Sequence, residues 1–197
     1  MTKSLCVIML AAGNSSRFGT NKLLYPINNQ PMYQYTLNLI QKLNPAQIIL
    51  VTKYPEITKK IDPNIIIVKN YDTHLGQSHS MQLALKASQK HISIIDGYLF
   101  IVCDQPYLTF SSLKKLSITW QTTDKICALA YQKKRGNPVI FPKRYLPELL
   151  KIQGDTGGRT VIQQHIDDLC LVEVNSAQEL IDIDTLDTLT LLTKSKL

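Results

Sequence analysis

Short apolar runs alternate along this chain with longer segments of helical period, and that alternation limits the possible folds more than any other feature. Residues 6–10, 48–52, 65–68 and 99–103 are apolar or β-branched runs bounded by turn formers, the pattern of strands buried on both faces. Between them Met32, Tyr35, Thr36, Leu39, Ile40 and Leu43 follow a helical period, with Pro31 in the first turn and Gln34, Asn38 and Gln41 facing outward. Met81, Ala84, Leu85 and Ser88 share one face of a second predicted helix, for which Ser78 or Ser80 offers a cap. Leu113, Leu116 and Trp120 mark a third helix over residues 110–122. Residues 126–131 and 138–141 read as two strands joined by a basic turn. Short helices around 146–150 and 160–166, a last strand over 171–174 and a helix over 186–192, capped by Thr185 or Asp184, follow. Such alternation predicts right-handed crossovers and a mostly parallel sheet covered on both faces, a three-layer α/β/α sandwich. A length of 197 residues suits one core, and no repeat, low-complexity tract or Pro/Gly linker divides it, so one domain is expected.

Composition narrows the partners. The formal net charge is +7, but the basic residues are scattered (Lys59-Lys60, Lys114-Lys115, Lys133-Lys134-Arg135, Lys194, Lys196) and show no interleaved aromatics. They read as a solvated surface suited to small anions rather than to nucleic acid. No apolar stretch approaches the ~20 residues of a membrane span. The first residues lack a secretory pattern, so the cytoplasm is the expected location. Cys6, Cys103, Cys127 and Cys170 form no CxxC pair and lie in apolar runs, as buried thiols do in a reducing compartment. His74, His91 and His165 have no paired spacing for a metal.

In open α/β sheets ligands bind beyond the carboxyl ends of the strands. Three polar features fall there: Ala12-Gly13 after the first strand, Gly76-Gln77-Ser78 after the third and Asp104 after the fourth. The first loop carries Gly13, Gly19, Arg17 and Lys22. Glycines let backbone N–H groups approach an anion, and the two cations suit a triphosphate; a flexible polar loop is the alternative. Neither a Walker A loop nor a Gly-x-Gly-x-x-Gly fingerprint is present. Asp104 suits either a divalent cation that keeps its waters or a turn that starts the next helix. Asp182 and Asp184 lie on one face of an extended segment. They suit a metal or the positive end of the terminal helix.

Leu10-Ala11-Ala12-Gly13 with Ser16, Arg17, Gly19 and Lys22 resembles the signature loop of the nucleotidyltransferase superfamily of Rossmann-like, glycosyltransferase-A type fold. Within it the chain resembles the molybdenum cofactor cytidylyltransferases, which are MobA-like. Gly76-Gln77-Ser78-His79-Ser80, Val102-Cys103-Asp104-Gln105-Pro106, Gly136 to Phe141, Gly154-Asp155-Thr156-Gly157-Gly158-Arg159 and Asp182-Ile183-Asp184-Thr185 follow in the family's order and spacing. Two departures stand out. Gly158 replaces an alanine, and Leu186-Asp187-Thr188 replaces a common Pro-Glu-Asp, a change that bears on the helix start more than on the metal.

The resemblance implies transfer of CMP from CTP to the terminal phosphate of molybdenum cofactor, with Mg²⁺ on Asp104 and Asp184. It implies nucleotide binding by Leu10, Ala11, Ala12, Gly13, Arg17, Lys22, Gly76, Gln77 and Ser78. Arg17, Lys22 and Asp104 would be catalytic, and Gly136, Asn137, Asp155, Gly157 and Arg159 would face the acceptor. Ala12, where GTP users commonly carry glycine, points to CTP. His79 is expected only to start a helix, because an acceptor phosphate is already ionised and needs no base. The rival readings are a transferase for a sugar or sugar-alcohol phosphate and a non-catalytic cofactor carrier for a molybdenum hydroxylase of the xanthine dehydrogenase type.

Overall fold

The computed structural model describes residues 2–15, 17–90 and 94–194. Ser16 of the first loop, His91 and Lys196 lie outside the described residues. In chain order the elements are β1 (Leu5–Ala11), β2 (Pro26–Ile27), β3 (Gln30–Pro31), α1 (Met32–Leu43), β4 (Gln47–Thr52) and α2 (Pro55–Thr58). Then come β5 (Ile66–Lys69), α3 (Gln77–Ser88), β6 (Gly97–Val102), α4 (Phe110–Thr123), β7 (Ile126–Tyr131) and β8 (Lys134–Pro142). The last are α5 (Leu146–Leu149), α6 (Arg159–Gln164), β9 (Leu169–Glu173) and α7 (Leu186–Lys194).

Among the described residues seven strands form one sheet in the order β5-β4-β1-β6-β8-β7-β9. All neighbours pair parallel except β8, which runs antiparallel to both β6 and β7. Alternate residues of β1 enter opposite layers, as a strand's two-residue period requires. Val7 and Met9 join Leu37, Ile40, Leu113 and Trp120 on one face, whereas Cys6 and Ile8 join Met81, Leu85, Phe141 and Val161 on the other. Helices α1 and α4 therefore cover one face and α3, α5 and α6 the other. This is the expected three-layer sandwich of Rossmann-like type.

A third, smaller cluster brings the two ends of the chain together. Phe18 of the first loop, Ile27 and Met32 pack against Ile183, Leu189 and Leu192. No helix among the described residues is long and apolar enough to cross a membrane. Cys6, Cys103 and Cys127 are buried free thiols and Cys170 is half-buried. Burial pushes the Cys6 thiol up to about 12.

The structure corrects several local expectations. Helix α3 starts at Gln77, with Gly76 before it and no side-chain cap, so Ser78 and Ser80 are buried inside the helix rather than capping it. Strand β5 is not buried on both faces. It is the sheet edge, its residues alternate between half-buried and exposed, and Ile67 keeps 39% of its surface. The buried face of α1 is rotated to include Tyr33 and Leu37, leaving Tyr35, Leu39 and Leu43 half-buried. Of the two candidate caps for α7, Thr185 is the one used: its Oγ1 accepts from Thr188 N at 3.2 Å.

Candidate active site

The carboxyl ends of β1 and β6 open onto a cleft of about 500 Å³ lined by residues 10–15, Arg17, Lys22, Gln77, Asp104, Asp182 and Asp184. β1 and β6 run side by side, Leu10 opposite Val102. That register brings the first loop next to Asp104, although 82 positions separate Lys22 from it. The first loop is tied down on two sides. Tyr54 Oη donates to Gly13 O at 2.6 Å, Thr73 Oγ1 donates to Asn14 Oδ1 at 2.9 Å, and Lys53 also donates to Asn14 Oδ1. On the other side Phe18 is held in the third cluster. Gly13 has no heavy atom within 4 Å of where a Cβ would stand, so its backbone borders open space. Ala12 lines the cleft but is 5% exposed and packs into the second core.

Lys22 lies at the centre of the acidic pocket. Asn21 caps its short 3₁₀ turn by accepting from Leu23 N, and the ammonium donates to Asp104 Oδ2 at 2.7 Å and to Asp184 Oδ1 at 2.8 Å. Burial opposes the charge on Lys22, but Asp104 and then Asp184 outweigh it and hold the pKa above its ordinary value. Arg17 donates to the other Asp184 oxygen at 2.8 Å. Burial opposes ionisation of Asp184 as well; Lys22 and then Arg17 overcome it and lower its pKa.

Gln105 fixes the second acidic segment against the first. Its buried amide donates to Asp182 Oδ1 at 2.8 Å and to Leu180 O at 3.2 Å, while Ile183 N donates to Asp104 O at 2.8 Å. Asp182 is raised to about 6, by burial first and then by the charge of Asp104. Asp104 Oδ1 is buried without a hydrogen-bond partner. Among the described residues no three His, Cys, Asp or Glu side chains gather as a metal-holding group.

The 154–159 segment meets the start of α3. Asp155 Oδ1 accepts from Gln77 N at 3.0 Å, so a carboxylate of the chain already occupies the first amide of that helix. A Cβ on Gly76 would lie 2.6 Å from Gly154 C and O, and its φ is +81°. Of the predicted nucleotide-site residues, Gly76 and Gln77 line the cleft, but Ser78 does not; Ser80 takes its place in the wall. Ser78 points inward, its hydroxyl buried and unpartnered. The predicted acceptor residues divide. Asn137 and Asp155 line the main cleft, while Gly136, Gly157 and Arg159 line an adjoining recess of about 150 Å³, which Asn137 also borders.

Four features escaped the sequence reading: the Asn14 tethers, the Tyr54 bond, the Gln105 clasp and Arg135 in the recess. Gln105 and Arg135 sat beside or within motifs already singled out. Lys53 and Tyr54 directly follow a predicted strand, a position that marks a loop over the site.

The cleft residues from Leu10 to Asp155 fall within one sequence profile, and Asp182 and Asp184 lie beyond it. The MobA-like NTP transferase domain matches residues 7–169. This chain belongs to the MobA-like NTP transferase family. Residues 7–169 thus form a domain of the nucleotidyltransferase kind. The purine catabolism protein PucB of Bacillus subtilis is 23% identical over 90% of both chains. The bifunctional protein GlmU of Buchnera aphidicola is 29% identical over 68% of this chain, but the match spans only 29% of GlmU. This MobA-like chain therefore spans less than a third of the length of that relative. The crystal structure of Rv0371C from Mycobacterium tuberculosis, solved as a complex with manganese, superposes with a TM-score of 0.80 at 21% identity, covering 98% of this chain and all of the other. At that identity the likeness speaks to the fold.

Proposed function

We propose that this MobA-like nucleotidyltransferase acts in the cytoplasm and transfers CMP from CTP to the terminal phosphate of molybdenum cofactor. The observation that carries the reading is the Lys22–Asp104–Asp184 cluster at the mouth of the first loop. Lys22, with Arg17 next to it on Asp184, suits a triphosphate, and the two carboxylates suit a divalent ion. Those carboxylates fit a hard cation, because the buried Asp104 Oδ1 lacks any partner and all the donors are oxygens. Asp104 and Asp184 would hold Mg²⁺, which when bound neutralises phosphate charge. The manganese found with Rv0371C is in keeping with a divalent ion.

The residues of the chain do the remaining work. Residues 10–13, Gly76 and Gln77 seat the nucleotide, and Arg17 and Lys22 stabilise charge on the departing pyrophosphate. An oxygen of the acceptor phosphate bonds to the α-phosphorus as the bond to the β-phosphate oxygen breaks and pyrophosphate leaves. Since a phosphate monoester is ionised near neutral pH, no general base is needed, and His79 within α3 has no such role. Positioning and electrostatics supply the rate. Molybdenum hydroxylases would take the product; neither nucleic acid nor membrane is a partner in this reading.

The test is transfer of label from α-labelled CTP to purified molybdenum cofactor, with pyrophosphate release compared across the four nucleotides. Asp104→Ala is expected to lower transfer by about 10²-fold or more while leaving the fold intact. Near-full divalent-dependent activity in that variant would overturn the metal assignment, and faster use of GTP than CTP would overturn the choice of base.

A further inference from the structure

The recess beside the nucleotide cleft is lined by two guanidiniums and no carboxylate. Arg135, on β8, and Arg159, at the start of α6, both border it. Burial and then the nearby Arg159 lower the pKa of Arg135. Arg135 Nη1 is buried without a hydrogen-bond partner. Buried cations are ordinarily paired, because desolvation without a partner is costly. The nearest acid of the 154–159 segment, Asp155, lines the other cavity and accepts from the amide of Gln77. Met81, Phe100, Phe141 and Ile162 supply the apolar part of the recess lining, its floor. Leu10, Gln77, Val102 and Asn137 line both spaces, so the recess opens directly onto the cleft.

We propose that Arg135 and Arg159 form an anion clamp that holds the phosphate monoester of the acceptor, with the carbon skeleton next to that phosphate against the apolar floor. The clamp itself rests on the buried, unpartnered Nη1 of Arg135 with the exposed Arg159 beside it; that its anion is the acceptor rests on the nucleotidyl-transfer reading above. Two planar cations match the several oxygens and the near-double charge of a monoester, and the bound anion would supply the counter-charge that the chain omits. Acceptors ending in a neutral hydroxyl are excluded. Specificity for a phosphorylated acceptor therefore comes from β8 and α6, and not from the first loop.

Phenyl phosphate, small and with an aromatic body for the floor, is the probe, and phenol is the neutral control. Thermal shift and calorimetry on the intact protein are expected to show stabilisation by phenyl phosphate and none by phenol. Arg135→Gln and Arg159→Gln should each weaken phenyl phosphate binding on the order of tenfold, and Arg135→Lys should recover part of the loss. Without ligand, both Gln variants should melt no lower than the wild type, because each relieves the repulsion between the arginines; a merely structural arginine would give a lower melting temperature. Arg17→Gln, in the first loop, should keep the phenyl phosphate response. The clamp is overturned if Arg135→Gln binds phenyl phosphate as the wild type does, or if Arg17→Gln alone abolishes the response. If the clamp behaves as expected but the wild type neither binds CTP nor releases pyrophosphate from any nucleotide, the clamp stands and the transfer reading falls.

Discussion

Asp182 shows how closely charge is balanced around Lys22. One ammonium and one guanidinium serve Asp104 and Asp184, which leaves Asp182 with the Gln105 amide and two like-charged neighbours. Its carboxyl is raised to about 6, by burial and then by Asp104, with Gln105 pulling the other way. The folded protein therefore holds this proton more tightly than the unfolded chain, where an aspartate titrates near ~3.9. That contribution to stability is complete below about pH 4 and is lost as pH rises through about 6. Asp182→Asn removes the charge and keeps an oxygen to accept from Gln105. The melting temperature of this variant should match the wild type near about pH 3, rise above it through about pH 5 and exceed it most near about pH 7.5. Water reaches Asp182, so screening holds the gain to under about 1 kcal/mol. A difference that does not change with pH would show that Asp182 is not the group strained by its neighbours. The sequence placed both aspartates on one segment but could not tell them apart: Asp184 meets Lys22 and Arg17, whereas Asp182 meets an amide.

At the scale of elements, the start of α3 is built from a distant part of the chain. Gly76 lies at φ +81° with Gly154 carbonyl atoms where a Cβ would be, and Asp155 accepts from the first amide of the helix. Gly76→Ala therefore meets left-handed strain and a collision with backbone that cannot swing aside, together worth about 2–4 kcal/mol. Chemical denaturation should show that loss, and hydrogen exchange at Gln77 should rise as the Asp155 bond breaks. A variant as stable as the wild type would mean that the 154–157 turn is free to move. A capping serine was expected here because serine at a helix start is a good local signal; a cap supplied from 78 positions away leaves no such local signal. Strand β5 was misread for a related reason. Its composition is that of a buried strand, and only its place at the sheet edge exposes Ile67. The inner strands and long helices were legible because their periods come from burial on both faces or on one, which the sequence records directly.

Across the whole molecule, the first loop depends on the last elements. Phe18 packs with Ile183, Leu189 and Leu192, and Arg17 and Lys22 end on Asp184. Ile183 is fully buried, and its backbone N–H is bound to Asp104. Ile183→Ala should cost about 2–4 kcal/mol through the cavity it leaves. It should also weaken nucleotide binding, by loosening Asp184 and the loop together. Limited proteolysis between residues 12 and 20, run beside a CTP titration, would check both effects. Lost stability with unchanged affinity and unchanged cleavage would uncouple the small core from the loop. The sequence showed the motifs at both ends but gave no sign that Phe18 joins them, since one aromatic in a polar loop has no period to reveal its partners.

This closure sets an order in time as the protein is made. Arg17 and Lys22 leave the ribosome 162 or more positions ahead of Asp184, and at ~5–20 residues per second that gap is about 10–30 s. For that interval the nascent chain has its basic loop without the carboxylates that will balance it, and Asp104 without Asp184. The parallel half of the sheet can assemble during translation, but the first loop meets its balancing carboxylate only once Asp184 has been made.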